Sequence, residues 1–429
     1  MRPLIGILLE TFPNASEPFI LDEILELERQ GLNLHIFSLR YPPEQPQQKD
    51  MALVQAPVTY VPSLLPTFNR TKEKELIAAQ VDLFQQDSGT YVQTLKRYLK
   101  RDEEDRVNEF LQGGYLARQM QKLGITHFHV HLSQVSSATA EIAQAFSGLS
   151  YSLTVHTKDS YHRDPAVLDH CMAKAEFVFT CSDYNRRHLA SISTSCTPIH
   201  VAYHGIDAAR FSPVPKPPQP AVPLIVSTGN FCEGTGFFYL IKACHLLKQN
   251  GLSFHCLIAG DGPLEDSMRQ QIRELDLSQH ITLVQNPDQE QLIDYYQQAE
   301  LFVLPCLSTD DDHRDGIPQV LLKVMAMEIP VISTTILGIS ELVESYVNGI
   351  LVPEKDALSL GQAMEMLLRQ PNLKTNLGKI GRFMVLDKFG LSSNVGLIKC
   401  LLLNATQQQT IKFPTQVTLL RHLNERHIA

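Results

Sequence analysis

DGIPQVLLKVMAMEIPVIST, Asp315 to Thr334, leads from a Gly and Pro loop into an apolar helical run and then, past Pro330, into a short β-branched strand. Loop, helix and strand in that order form one step of an α/β sheet, and the free N–H groups where loop meets helix make a ready anion site. One cation, Lys323, stands in the middle of the helix. It is either an ordinary surface residue or part of a binding site.

Working outward, the same step repeats. LIVSTGN, FHCLIAG, ITLVQ and LFVLP read as strands, with FFYLIKACHLLKQNG, PLEDSMRQQIREL and QEQLIDYYQQA as the helices between them. Continuous apolar strands alternating with helices predict a parallel sheet covered on both faces. This half is Rossmann-like without a G-x-G-x-x-G.

The chain before it has the same rhythm. LIGILLE (4–10), ILDEILELERQG (20–31) and LNLHIFSL (32–39) form a β-α-β unit, and THFHVHL, YSLTVH, FVFTCS and IHVAYHG are further strands. SPVPKPPQPAVP, Ser212 to Pro223, interrupts the pattern, because its prolines remove backbone donors and fix an extended course. The expected division is a first domain over 1–211, a linker over 212–223, a second domain over 224–403 and a segment from 404 to 429 returning to the first. Two such α/β domains would face a central cleft at the carboxyl ends of their strands.

A length of 429 residues suits two domains, and 44% hydrophobic with 19% charged residues suits a folded globular protein. The formal charge of −9 argues against a nucleic-acid partner. No run is long enough for a membrane span, and the eight cysteines lack a C-x-x-C pair, so reduced thiols and a cytoplasmic setting are expected. YVQTLKRYLKRDEEDR sets Tyr91, Leu95 and Tyr98 beside Lys96, Arg97 and Lys100. Such a helix either touches an anionic inner membrane surface or is a solvated face whose charges the following acids offset.

Among single residues, His156 follows the strand YSLTV at the cleft end of the first sheet, where an imidazole could orient a sugar hydroxyl or polarise a leaving group; a structural histidine is the alternative. His129 and His131 alternate along HFHVHL and are expected on opposite faces, which argues against a metal pair. Gly260, Asp261 and Gly262 form a tight turn between strand and helix. Asp310, Asp312 and His313 have spacing that suits Mg²⁺ or Mn²⁺, although acids in a loop are usually just solvated.

Taken in order, ASEPFILDEI, HVHLSQVSSATA, YSLTVHTKDSY, CSDYNRRHL, VAYHGIDAARFSP, IAGDGPLEDSMRQ, LFVLP, DGIPQVLLKVMAMEIPVIST, GISELV and NGILVPEKD resemble glycosyltransferase family 4, group 1 glycosyltransferases of the GT-B fold. The resemblance implies transfer of a sugar from a nucleotide-sugar, with retention at the anomeric carbon, to a saccharide or lipid-linked acceptor in surface polysaccharide assembly. No cofactor or metal is implied. It places Ser16, Glu17, His131 and Asp159 on the acceptor side, His156 and Asp315 in catalysis, and Asn230, Thr235, the Gly260–Gly262 turn, Gly316, Ile317, Pro318, Lys323 and Glu341 at the donor.

The donor site departs from the family pattern. Where relatives carry an Arg and a Lys that bind the diphosphate, this chain has Asn230 and Thr235, and the second acid of the E-x7-E pair is Lys323. Each fixed donor at a departing diphosphate can be worth about 3 to 4 kcal/mol. Glu328 and Gln285 also stand at family glycine positions. Two readings follow: Lys323 takes over phosphate neutralisation in a rewired site, or the chain is a degenerate relative that partners an active glycosyltransferase.

Overall fold

The computed structural model describes residues 3–14, 17–42, 52–64, 73–100, 105–214, 222–308, 316–336 and 338–412. The chain divides into two compact units: the first takes Met1–Thr180, His188–Ala202 and the chain from Val395, the second Cys181–Arg187 and Tyr203–Asn394.

The first unit carries a seven-stranded sheet with strands β1 (Leu4–Thr11), β2 (Asn33–Arg40), β3 (Val58–Tyr60), β4 (Ile125–His131), β5 (Tyr151–Val155), β6 (Val178–Thr180) and β7 (Ile199–Val201). Their order is β3-β2-β1-β4-β5-β6-β7, and every pairing is parallel. Strand order reverses between β1 and β4, which leaves a crevice at their carboxyl ends. β1 is apolar because both faces are covered: Ile5, Ile7, Leu8 and Leu9 are all buried.

Helix Pro18–Arg29 starts on a proline, which suits a first helical position, and buries Ile20, Leu21, Ile24 and Leu27. Helix Arg106–Leu123 presses against helix Gln134–Ser147 at Gly113, where a Cβ would come within 2.6 Å of Ile142. The basic helix Ser88–Leu99 packs part of its apolar side inside the unit, through Tyr91, Leu95 and Tyr98, while Val92 is exposed. Tyr98 is buried with its hydroxyl donating to the Ala138 carbonyl, Tyr91 stacks on Phe146, and Arg97 pairs with Glu141 at 2.6 Å; Leu99 stays exposed.

The second unit carries β8 (Leu224–Thr228), β9 (His255–Gly260), β10 (Ile281–Gln285), β11 (Leu301–Leu304), β12 (Val331–Thr334) and β13 (Ile350–Val352), all parallel, in the order β10-β9-β8-β11-β12-β13. The reversal falls between β8 and β11.

The unit boundary lies at Ala202 and Tyr203, ahead of the prolines, because the following segment is tied to the second unit. Ile206 exchanges backbone hydrogen bonds with Phe389 and Leu391, and Phe211 is buried in the cluster around Phe302 and Leu321. Residues 215–221 of the proline-rich segment lie outside the described residues. The return to the first unit begins at Val395, and Lys399 donates to the Gln30 carbonyl at 2.7 Å.

All eight cysteines are free. No described helix is long and apolar enough to cross a membrane.

Candidate functional site

At the carboxyl ends of β1, β2 and β4 the first unit opens into a cleft of about 1100 Å³. Glu10 and Thr11 come from β1, Arg40 from β2 and His131 from β4, while His156 and Asp159 come from the turn after β5 and Glu17 from the start of the first helix. The sequence therefore directs Glu17, His131, His156 and Asp159, four of its candidate residues, to one cleft. Ser16 and Asp315, like Asp310, Asp312 and His313, lie outside the described residues.

His156 is placed by the chain turning from β5 into helix Thr157–His162, and its carbonyl accepts from both the backbone and the hydroxyl of Ser160. Its ring stacks on His131, with Nε2 3.2 Å from His131 Nδ1, and Phe19 packs on it at 5.1 Å. Burial raises the Asp159 carboxyl to about 6, against the opposing pull of Arg163, whose Nε lies 3.4 Å away; Glu17 adds to the rise.

His129 and His131 do not point to opposite faces as expected. Residues two apart on a strand share a face, and their rings lie edge to face at 5.3 Å. His127 and His129 form a buried ladder with β5: Ser152 Oγ bridges His127 Nε2 (2.9 Å) and His129 Nδ1 (2.8 Å), and His129 Nε2 meets Thr154 Oγ1 at 2.8 Å. Burial holds both imidazoles neutral, with His127 lowered to about 3 and His129 well below its ordinary value.

Sequence reasoning also passed over Glu23, whose carboxylate lies 3.5 Å from His131 Nε2. A signal was there: Glu23 sits on the helix face of Ile20 and Leu27, where an acid on an apolar stripe calls for a partner.

In the second unit the loops after β8 and β9 interlock through their backbones. Phe231 N donates to the Asp261 carbonyl at 2.7 Å and Leu264 N to the Phe231 carbonyl at 3.0 Å. A Cβ on Gly260 would lie 1.9 Å from the Gly229 oxygen, so the glycine turn is required by this close approach. Asn230 is exposed, and the Thr235 hydroxyl donates to the Asn230 and Cys232 carbonyls, closing the short turn Glu233–Thr235. That turn also reaches the reversal point, since Leu307 N, past β11, donates to the Gly234 carbonyl. Gly316 and Ile317 abut Gly338, and Pro318 caps helix Gln319–Ala326.

Lys323 is half-buried on that helix with its ammonium over the Phe211 ring. The Glu341 carboxylate accepts from the backbone of Asp183 (2.9 and 3.0 Å) and Tyr184 (3.3 Å) and from the Tyr203 hydroxyl, with Lys388 at 4.0 Å. Burial, and then Glu341 itself, push the Tyr203 phenol up.

Two units with reversing parallel sheets define the GT-B fold. Over the full chain the architecture is similar to a glycosyltransferase from Rickettsia africae (TM-score 0.69, 15% identity, 94% of this chain and 98% of that one). It is also similar to HepE from Anabaena in a complex with UDP-glucose (TM-score 0.65, 13% identity, 93% and 99%).

Residues 212–384 match the family described as glycosyl transferases group 1. The chain is 27% identical over 370 residues to a putative colanic acid biosynthesis glycosyltransferase of Escherichia coli, covering 84% of this chain and 89% of that protein. It is 33% identical over 188 residues to an amylovoran biosynthesis glycosyltransferase of Erwinia amylovora, covering 44% and 46%. These two relatives are thus named as glycosyltransferases of colanic acid and amylovoran biosynthesis.

Proposed function

We propose that the chain transfers a sugar from a nucleotide-sugar, with retention at the anomeric carbon, to a saccharide or lipid-linked acceptor of a surface polysaccharide. The observation that carries this reading is the convergence of Glu17, His131, His156 and Asp159 in one cleft at the sheet reversal of the first unit. A cleft of about 1100 Å³ is at the upper end for small-ligand sites, which suits an acceptor larger than a single sugar.

In this reading His156 orients the acceptor or the transferred sugar, and Asp315 holds that sugar's hydroxyls. The donor's diphosphate meets the loops after β8 and β9 and the Gly316–Pro318 junction, where unpaired helix N–H groups favour an anion. With Asn230 and Thr235 uncharged, Lys323 supplies the positive charge.

The test is calorimetric titration of the purified protein with UDP, GDP and ADP and their sugar conjugates, repeated with Lys323→Ala. Micromolar binding of one nucleotide, weakened at least tenfold in the variant, is expected. No binding by any of them would overturn the reading. Co-purification of an active glycosyltransferase with such a non-binding protein would make the chain its partner.

A further inference from the structure

We propose that Glu23 is a positioning residue that, acting through His131, sets which ring nitrogen of His156 donates a hydrogen bond and which accepts one. Glu23 projects from helix Pro18–Arg29, its side chain only 12% exposed, and its Oε1 lies 3.5 Å from Nε2 of the buried His131. Both atoms are buried, and neither has a hydrogen-bond partner among the described residues. The distance is long for a hydrogen bond, so the interaction is electrostatic. A carboxylate oxygen facing a ring nitrogen at that range attracts an N–H and repels a lone pair. Nε2 of His131 therefore carries the proton.

The rest follows from what an imidazole can do. Neutral His131 then has only a lone pair at Nδ1, so Nε2 of His156, 3.2 Å away, must be the donor. That leaves neutral His156 a lone pair at its own Nδ1.

A cation is the competing occupant, because donor atoms of Glu23, His129 and His131 lie within 4.8 Å of one another. Both nitrogens of His129 already meet hydroxyls at 2.8 Å, which leaves two ligands where a stable zinc site uses three or four. The consequence for a bound sugar rests on the glycosyl-transfer reading. The proton positions do not.

The experiment is long-range nitrogen-15 NMR of the histidine rings in the full chain, at mildly alkaline pH, for wild type and Glu23→Gln. Wild type is expected to show protons on Nε2 of both His131 and His156. In Glu23→Gln the signals of that pair should shift together, while His127 and His129, held by their serine and threonine partners, stay in place. A wild-type His131 protonated only at Nδ1 would overturn the proposal without any variant. So would a variant in which the pair does not move, or in which all four rings move alike. Stoichiometric zinc binding that is lost in Glu23→Gln would replace it with a metal centre. Failure to bind nucleotide would sink the glycosyl-transfer reading and leave these outcomes intact.

Discussion

The Lys323 ammonium lies 5.4 Å from the centre of the Phe211 ring, which binds the helix after Gly316 to the segment leading into the proline-rich stretch. An ammonium on an aromatic face contributes about 0.5–1 kcal/mol when partly exposed. Lys323→Met keeps the aliphatic stem and removes the charge. We expect it to lower urea-unfolding stability by about that amount and to weaken nucleotide binding at least tenfold. If only stability falls, Lys323 is a packing residue and the phosphate finds its charge elsewhere.

Glu328 ends the same helix in the left-handed region, with φ of 61°. An L side chain pays roughly 1–2 kcal/mol in that conformation, and glycine does not. This explains why the family resemblance implies glycine here, and it makes the departure one of backbone strain. Glu328→Gly should raise stability by about 1 kcal/mol, less the extra backbone entropy of glycine. Thermal unfolding of the two proteins checks it, and a lower melting temperature in the variant contradicts the strain argument.

Asp159 sets a pH dependence. Its folded carboxyl titrates near 6 against an ordinary 3.8, so between those values the folded state holds the extra proton and stability falls as pH rises. The cost is complete above pH 6 and absent below 3.8. Asp159→Asn removes it. The variant should match wild type near pH 4 and exceed it at pH 7 by up to about 3 kcal/mol, the opposing pull of Arg163 being already contained in that figure. Urea midpoints across the range measure the difference, and a gap that does not change with pH would contradict it.

These residues also show what the sequence made legible. Apolar runs separated by helical repeats were enough to place eleven of the thirteen described strands, because a parallel sheet buried on both faces leaves few other arrangements; the three-residue edge strands β3 and β13 are too short to show such a run. Among the cleft residues, His156 was legible from its place just past a strand's carboxyl end, whereas Glu17, His131 and Asp159 were legible through the family resemblance. What escaped depends on contacts between distant parts of the chain: Phe211 under Lys323, Ile206 on Phe389 and Glu23 against His131 leave no local pattern. The shared face of His129 and His131 was readable from strand geometry alone.

Glu341 was expected on the nucleotide side, and its environment predicts a structural cost when it is removed. Both oxygens accept from the Asp183 backbone, and Tyr203 donates to one of them, so the carboxylate anchors residues 181–187 and the Tyr203 ring within the second unit. Hydrogen bonds to a charged acceptor are worth about 1.5–3 kcal/mol each, and the donors left behind lose a partner. Glu341→Ala should therefore lower stability by about 2–4 kcal/mol, and Glu341→Gln, which keeps one acceptor oxygen, by less. Calorimetry on the Gln variant separates anchoring from ligand binding: unchanged nucleotide affinity fits an anchor, whereas a tenfold loss in a fully folded variant would return Glu341 to the donor site.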